Sequence, residues 1–273
     1  MPTVSVTDGS LHYEQRGSGP PLVLIHGGWQ DSASWKRQIE YFADDYRVIT
    51  YDIRGHGRTG ATGATEYSID LFADDLETLL SVLEVEQPIL AGMSVGGMIT
   101  RAFLARHPES VRGAVIGGPF QSMMGTDFAT DLNPFFSPVQ GVSQMVSTLG
   151  SAATFRTLVN SMQATNGGSW LSLDSDVRAQ AITAAGAVPK AEYTKIFRAL
   201  YEHEPVSLSH VETPLLVLYG DHEAPSIKRQ GRQLAEQTPH GQRLEISDAA
   251  HLVNQDNPEA FNEACSEFIT TIN

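Results

Sequence analysis

Short apolar runs and stretches of helical spacing alternate through most of this chain. Residues 4–6 and 11–15 read as two short strands, and Pro21–Ile25 is a continuous apolar run, as in a strand covered on both faces. Residues 34–42 have helical character and 46–51 form the next strand. Ser68 stands as an N-cap before Ile69, Phe72, Leu76, Leu79, Leu80 and Leu83, which share one helical face. An apolar run at 87–91 leads into a glycine-flanked serine, and residues 97–106 are helical in character, stopping before Pro108. Further strands are expected at 111–116, 214–219 and 242–246, with helices at 227–237 and from Pro258 through Phe261, Ala264, Phe268 and Ile272. Strand alternating with helix predicts an α/β fold with a mostly parallel central sheet and helices on both faces.

That rhythm breaks between about 119 and 206. A mostly helical, serine- and threonine-rich stretch there carries Met123, Met124, Met145 and Met162, with Phe135, Phe136, Phe155, Trp170 and Phe197 adding aromatic bulk. Any one of these is ordinary core material; together they suit a lid over an apolar pocket. The expected organisation is a core of 1–118 and 207–273 with a helical cap at 119–206. Met123, Met124 and Phe136 are candidate pocket residues. Trp29 either lines that pocket or packs beneath the lid.

Composition narrows the function. At 273 residues and 41% hydrophobic, the chain can bury a substantial core. The formal net charge of −14 argues against nucleic acid or an anionic membrane as partner and leaves a small-molecule substrate. The start of the chain lacks the basic and apolar regions of a signal peptide, and no apolar run approaches a membrane span, so a cytoplasmic location is expected. With Cys265 as the one cysteine, no intrachain disulfide can form. Lysine is scarce beside arginine, an acidic balance that would also suit a high-salt cytoplasm.

The chemistry centres on Gly92-Met93-Ser94-Val95-Gly96. A strand that turns sharply into a helix at a serine holds that residue strained with its hydroxyl exposed, and the flanking glycines leave room for the turn. The helix start also aims the Val95 N–H at a developing oxyanion. A serine hydroxyl needs a base, usually a histidine held by a carboxylate. His251 follows the last strand and opens on the same sheet edge as Ser94. His26 and His56 sit in glycine-rich turns, His107 suits a helix C-terminal cap, and His12, His203, His210 and His240 read as surface residues. The turn after residue 219 offers two acids, Asp221 and Glu223. No histidine pair has metal-ligand spacing with a third donor, so neither a metal nor a cofactor is expected.

These motifs, taken in order, resemble the α/β-hydrolase-fold enzymes of the lipase/esterase-like group. His26-Gly27-Gly28, Asp52-Ile53-Arg54-Gly55-His56-Gly57-Arg58-Thr59 and the Ser94 pentapeptide recur at the expected points, over nearly the whole chain outside the lid. The resemblance implies Glu223 as the acid, three residues past the glycine ending its strand. It implies His251 as the base, seven residues before Pro258, and the Gly28 N–H as second oxyanion donor in preference to that of Trp29. The Asp52 to Thr59 stretch would brace neighbouring loops. Two departures stand out: Glu replaces the more usual Asp, and Ala250 replaces a glycine before the histidine. The implied activity is hydrolysis of a carboxylic ester of a small, fairly apolar substrate through an acyl-enzyme. C–C bond hydrolysis, thioester hydrolysis, cofactor-free perhydrolysis and non-catalytic small-molecule reception use the same fold. A serine nucleophile argues against the dehalogenase and epoxide hydrolase branches, which place a carboxylate there.

Overall fold

The computed structural model describes residues 2–122, 137–166 and 168–272. Eight strands form one sheet in the order β1-β2-β4-β3-β5-β6-β7-β8. They are β1 (Thr3–Val6), β2 (Gly9–Arg16), β3 (Pro21–Ile25), β4 (Arg47–Tyr51), β5 (Ile89–Met93), β6 (Gly113–Gly117), β7 (Leu215–Gly220) and β8 (Gly241–Ile246). At one edge β1 pairs antiparallel with β2, and β2 pairs antiparallel with β4; every other neighbour is parallel.

The apolar runs follow from burial on both faces. In β3, Val23 and Ile25 face one core cluster while Leu22 and Leu24 face the other. The helices α1 (Lys36–Phe42), α2 (Ile69–Val82) and α3 (Val95–Arg106) cover the sheet from both sides. Phe72, Leu76 and Leu79 of α2 join the Val23 cluster, and Phe42 of α1 joins the Leu22 cluster. The Ser68 hydroxyl caps α2 by accepting from the Leu71 N–H at 3.0 Å.

Between β6 and β7 the described chain forms α4 (Pro138–Leu149), α5 (Ser151–Asn166), α6 (Ser175–Ala187) and α7 (Lys190–Tyr201). All four lie within the 119–206 stretch where the sequence loses its alternation. After β7 come α8 (Pro225–Gln237), the single turn α9 (Val253–Asp256) and α10 (Pro258–Ile272), whose Phe261, Cys265 and Phe268 pack on the Leu22 cluster.

Two histidines differ from the surface placement expected of them. His12 is buried, because β2 is covered on both faces at that point. Leu11 enters the core while the His12 N–H donates to Thr59 Oγ1 and the ring meets the Arg58 guanidinium. His203 is half-buried, and burial lowers its imidazole from the ordinary value.

Candidate active site

Ser94 joins β5 to α3 with φ +52° and ψ −108°, a conformation non-glycine residues seldom hold. The elbow is locked from three sides. The Ser94 N–H donates to the Gly117 carbonyl of β6 at 2.8 Å. A Cβ on Gly92 would collide with the Gly96 carbonyl, and one on Gly96 would strike the Ile25 carbonyl at the end of β3. Both glycines are therefore required by close backbone approach.

His251 Nε2 lies 3.0 Å from Ser94 Oγ, and His251 Nδ1 lies 2.8 Å from Glu223 Oε2. Serine, histidine and acid thus form one hydrogen-bonded chain from residues on three separate loops, with His251 and Glu223 both buried. Glu223 reaches this position because its turn packs on the histidine loop: the His222 N–H donates to the Ala249 carbonyl at 2.9 Å. The second Glu223 oxygen accepts from the Ala224 N–H and from the Trp170 indole N–H, each at 2.8 Å.

Asp221, the other acid of that turn, takes a different place. Its Oδ1 accepts from the Ala249 N–H at 3.1 Å, beside the histidine rather than on it. Partial burial alone would raise its carboxyl, but the Ala249 and Asp248 amides hold it below the usual carboxylate value.

The Val95 and Gly28 amides lie on facing turns, close enough that a Cβ on Gly28 would come 2.8 Å from Val95 Cγ2. Among the described residues neither amide donates to a protein group. The Trp29 N–H, by contrast, is committed to His56 Nε2 at 2.9 Å, with Trp29 at φ +57°. His56 Nδ1 in turn donates to the Arg54 carbonyl at 2.8 Å. His26 bridges the same two loops, with Nδ1 donating to the Gly27 carbonyl and Nε2 accepting from the Ile53 N–H. Burial pushes the His56 imidazole down to about 3 and lowers that of His26 as well, so both are neutral struts. Asp52 accepts from the Ser32 and Arg58 amides, and Arg54 makes a paired contact with buried Asp75. The Asp52 to Thr59 stretch therefore braces the loop that carries Gly28.

A cavity of about 120 Å³ opens beside Ser94. Gly28, Val95 and His251 form its polar end, while Phe155, Met162 and Phe197 of the inserted helices wall the rest. Trp29 both lines it and stacks on Tyr193 of α7, ring centroids 4.9 Å apart. Met145 is half-buried and does not line it. Met123, Met124 and Phe136, expected in the pocket wall, lie outside the described residues. Trp170 reads in the sequence only as aromatic bulk, whereas in the structure it stands on Glu223. Its contact depends on loops more than 50 residues apart meeting in space, which no local spacing announces. Among the described residues, no group of three or more His, Cys, Asp or Glu is placed to hold a metal ion.

Residues 20–258 match the family model described as alpha/beta hydrolase fold. The chain is 30% identical to the (E)-2-((N-methylformamido)methylene)succinate hydrolase of Acinetobacter baylyi, an alignment covering 96% of this chain and 95% of that protein. It is 28% identical to 3-oxoadipate enol-lactonase 2 of the same organism, over 99% and 97% of the two chains. Its fold matches that of an esterase from Thermogutta terrifontis at 23% identity, with a TM-score of 0.83 over 99% of this chain and 98% of that one.

Proposed function

The chain belongs to the α/β-hydrolase fold family, and on that premise we propose that it hydrolyses a carboxylic ester, open-chain or lactone, of a small neutral substrate through a serine acyl-enzyme. The observation that carries this reading is the unbroken hydrogen-bonded chain from Ser94 through His251 to Glu223 at the mouth of an apolar cavity. Neutral His251 Nε2 takes the hydroxyl proton as Ser94 Oγ attacks the carbonyl. The charge that develops on the carbonyl oxygen is received by the Val95 and Gly28 amides, which among the described residues donate to no other group. His251 then passes its proton to the departing alkoxide, activates a water in the second half-reaction, and the acid is released. Glu223 fixes the imidazole tautomer and stabilises the imidazolium.

Two features support a neutral substrate. No lysine or arginine is among the described residues lining the cavity, and none occurs anywhere between Arg112 and Arg156. A carboxylate entering there would lose its water without gaining a cation. The Acinetobacter relative named for a succinate derivative acts on a dicarboxylate, so the two sites are expected to differ in charge preference.

Replacement of Ser94 by Ala tests the mechanism. Hydrolysis of a neutral butyrate aryl ester should fall by roughly 10⁶ in kcat while the melting transition stays within a few degrees. Turnover near wild type in purified Ser94→Ala would reject the serine mechanism.

A further inference from the structure

We propose that Trp170, from the inserted segment, is a positioning residue that holds the proposed Glu223–His251 pair in working geometry; the inference rests on the serine-hydrolase reading above. Three contacts converge on this residue and a fourth on its neighbour Leu171. Its indole N–H donates to Glu223 Oε1 at 2.8 Å, on the oxygen that His251 does not use. Its ring lies over the His251 imidazole, centroids 4.7 Å apart and planes 29° from parallel. Its carbonyl accepts from the His251 N–H at 2.9 Å, and the next carbonyl, Leu171, accepts from the Leu252 N–H at 2.9 Å.

The physical consequence is that acid and base are held by one side chain. A glutamate has an extra rotatable bond relative to aspartate, so its carboxylate plane needs fixing if Oε2 is to stay on Nδ1. The Ala224 N–H and the Trp170 N–H grip Oε1 from two directions and leave Oε2 for the histidine. The same indole covers the imidazole face, which excludes water and places a π surface against the imidazolium that forms in the reaction. The segment that walls the pocket therefore also completes the proton relay. Displacing it would uncouple Glu223 from His251 as well as opening the cavity.

The N–H also draws charge from the carboxylate. Without it only the Ala224 N–H holds Oε1, the carboxylate turns more freely, and the pair loses its alignment. Other ionisable neighbours are Asp221 and His222 on the Glu223 turn, Asp248 on the histidine loop, Asp256 behind it and Arg178 on α6 beyond Ser172. Among the described residues none of these bonds to the imidazole or to Glu223, and all are retained in the variants below.

The test compares wild type with Trp170→Phe and with Trp170 replaced by its benzothienyl isostere, which keeps the ring system and removes only the N–H. On a neutral butyrate aryl ester, each folded variant should lose roughly tenfold in kcat with KM within about twofold. In a Glu223→Gln background the Trp170→Phe change should cost nothing further, because it acts through Glu223. Wild-type kcat in either variant would overturn the proposal. So would a loss confined to KM, or full additivity with Glu223→Gln. Ser94→Ala run alongside separates the two levels: an inactive Ser94→Ala beside an unaffected Trp170→Phe removes Trp170 alone, whereas an active Ser94→Ala removes the serine mechanism itself.

Discussion

Glu223 and Asp221 sit two residues apart on one turn, yet only one of them touches His251. The carboxylate of Glu223 is buried and shared between His251, Ala224 and Trp170, while Asp221 stands partly in solvent and accepts the Ala249 amide. Replacing Glu223 with Gln leaves the shape but removes the charge, and with the amide oxygen claimed by the Ala224 and Trp170 N–H groups an NH2 turns toward Nδ1, so kcat should drop by about 10⁴. Asp221→Asn keeps an acceptor for Ala249 and should cost about 1 kcal/mol of stability or less, with kcat little changed. Steady-state kinetics of the two variants, with urea unfolding of each, checks both halves; a dead Asp221→Asn beside an active Glu223→Gln would reverse the assignment. Ser94 and His251 were legible because a strained turn and a strand-end loop leave local marks in the sequence. The choice between the two acids was not, since both occupy the same turn and the family spacing alone separated them. Trp170 and His12 were illegible for a common reason: each owes its role to a partner distant in the chain, Glu223 in one case and the Arg58–Thr59 turn in the other.

At the scale of elements, the β5–α3 unit shows how much a glycine pattern carries. The reading of 97–106 as helical missed its first residues, because the Gly96-Gly97 pair lowers helix propensity where the helix in fact starts at Val95. Those glycines serve packing instead. A Cβ on Gly97 would approach Ile116 Cγ2 of β6 to 2.7 Å, and one on Gly96 would meet backbone carbonyls of both Ile25 and His26. Backbone cannot step aside as a flexible side chain can. Gly96→Ala should therefore cost about 3 kcal/mol or more, beyond the usual overpacking range, and lower kcat as well by displacing Ser94 from His251. Thermal melting and turnover measured on the same preparation decide it; an unchanged midpoint would mean that β3 yields more readily than this packing implies. The inserted helices were legible only as a break in alternation. Their lining residues Phe155, Met162 and Phe197 belong to the aromatic and methionine set noticed in the sequence, but no periodicity says which of that set faces the cavity.

Over the whole molecule, the inserted segment is tied to the core at both of its roots by one buried cation. Arg101 of α3 donates through Nε to the Val206 carbonyl at 2.6 Å and through Nη1 to Gln121 Oε1. Burial lowers its guanidinium only to about 10, so it stays charged at neutral pH and holds the two strands of chain that enter and leave the proposed cap. That cation is spent on protein groups outside the cavity wall, and the wall itself carries none among the described residues. With a net charge of −14, the field of the whole chain also repels anions approaching the site. Local and global electrostatics therefore act in the same direction, and they can be separated by salt. At an ionic strength of about 10 mM, with a Debye length of roughly 30 Å, kcat/KM for a neutral butyrate ester should exceed that for the succinate half-ester of the same alcohol by at least about tenfold. Raising the ionic strength to about 1 M shortens that length to roughly 3 Å, which removes the long-range repulsion but leaves the desolvation of the carboxylate in the apolar pocket. The gap should narrow without closing, the neutral ester changing little. Equal rates for the two esters at low salt would reject the neutral-substrate reading, and a gap that closes completely at high salt would assign the whole preference to surface charge and none to the pocket.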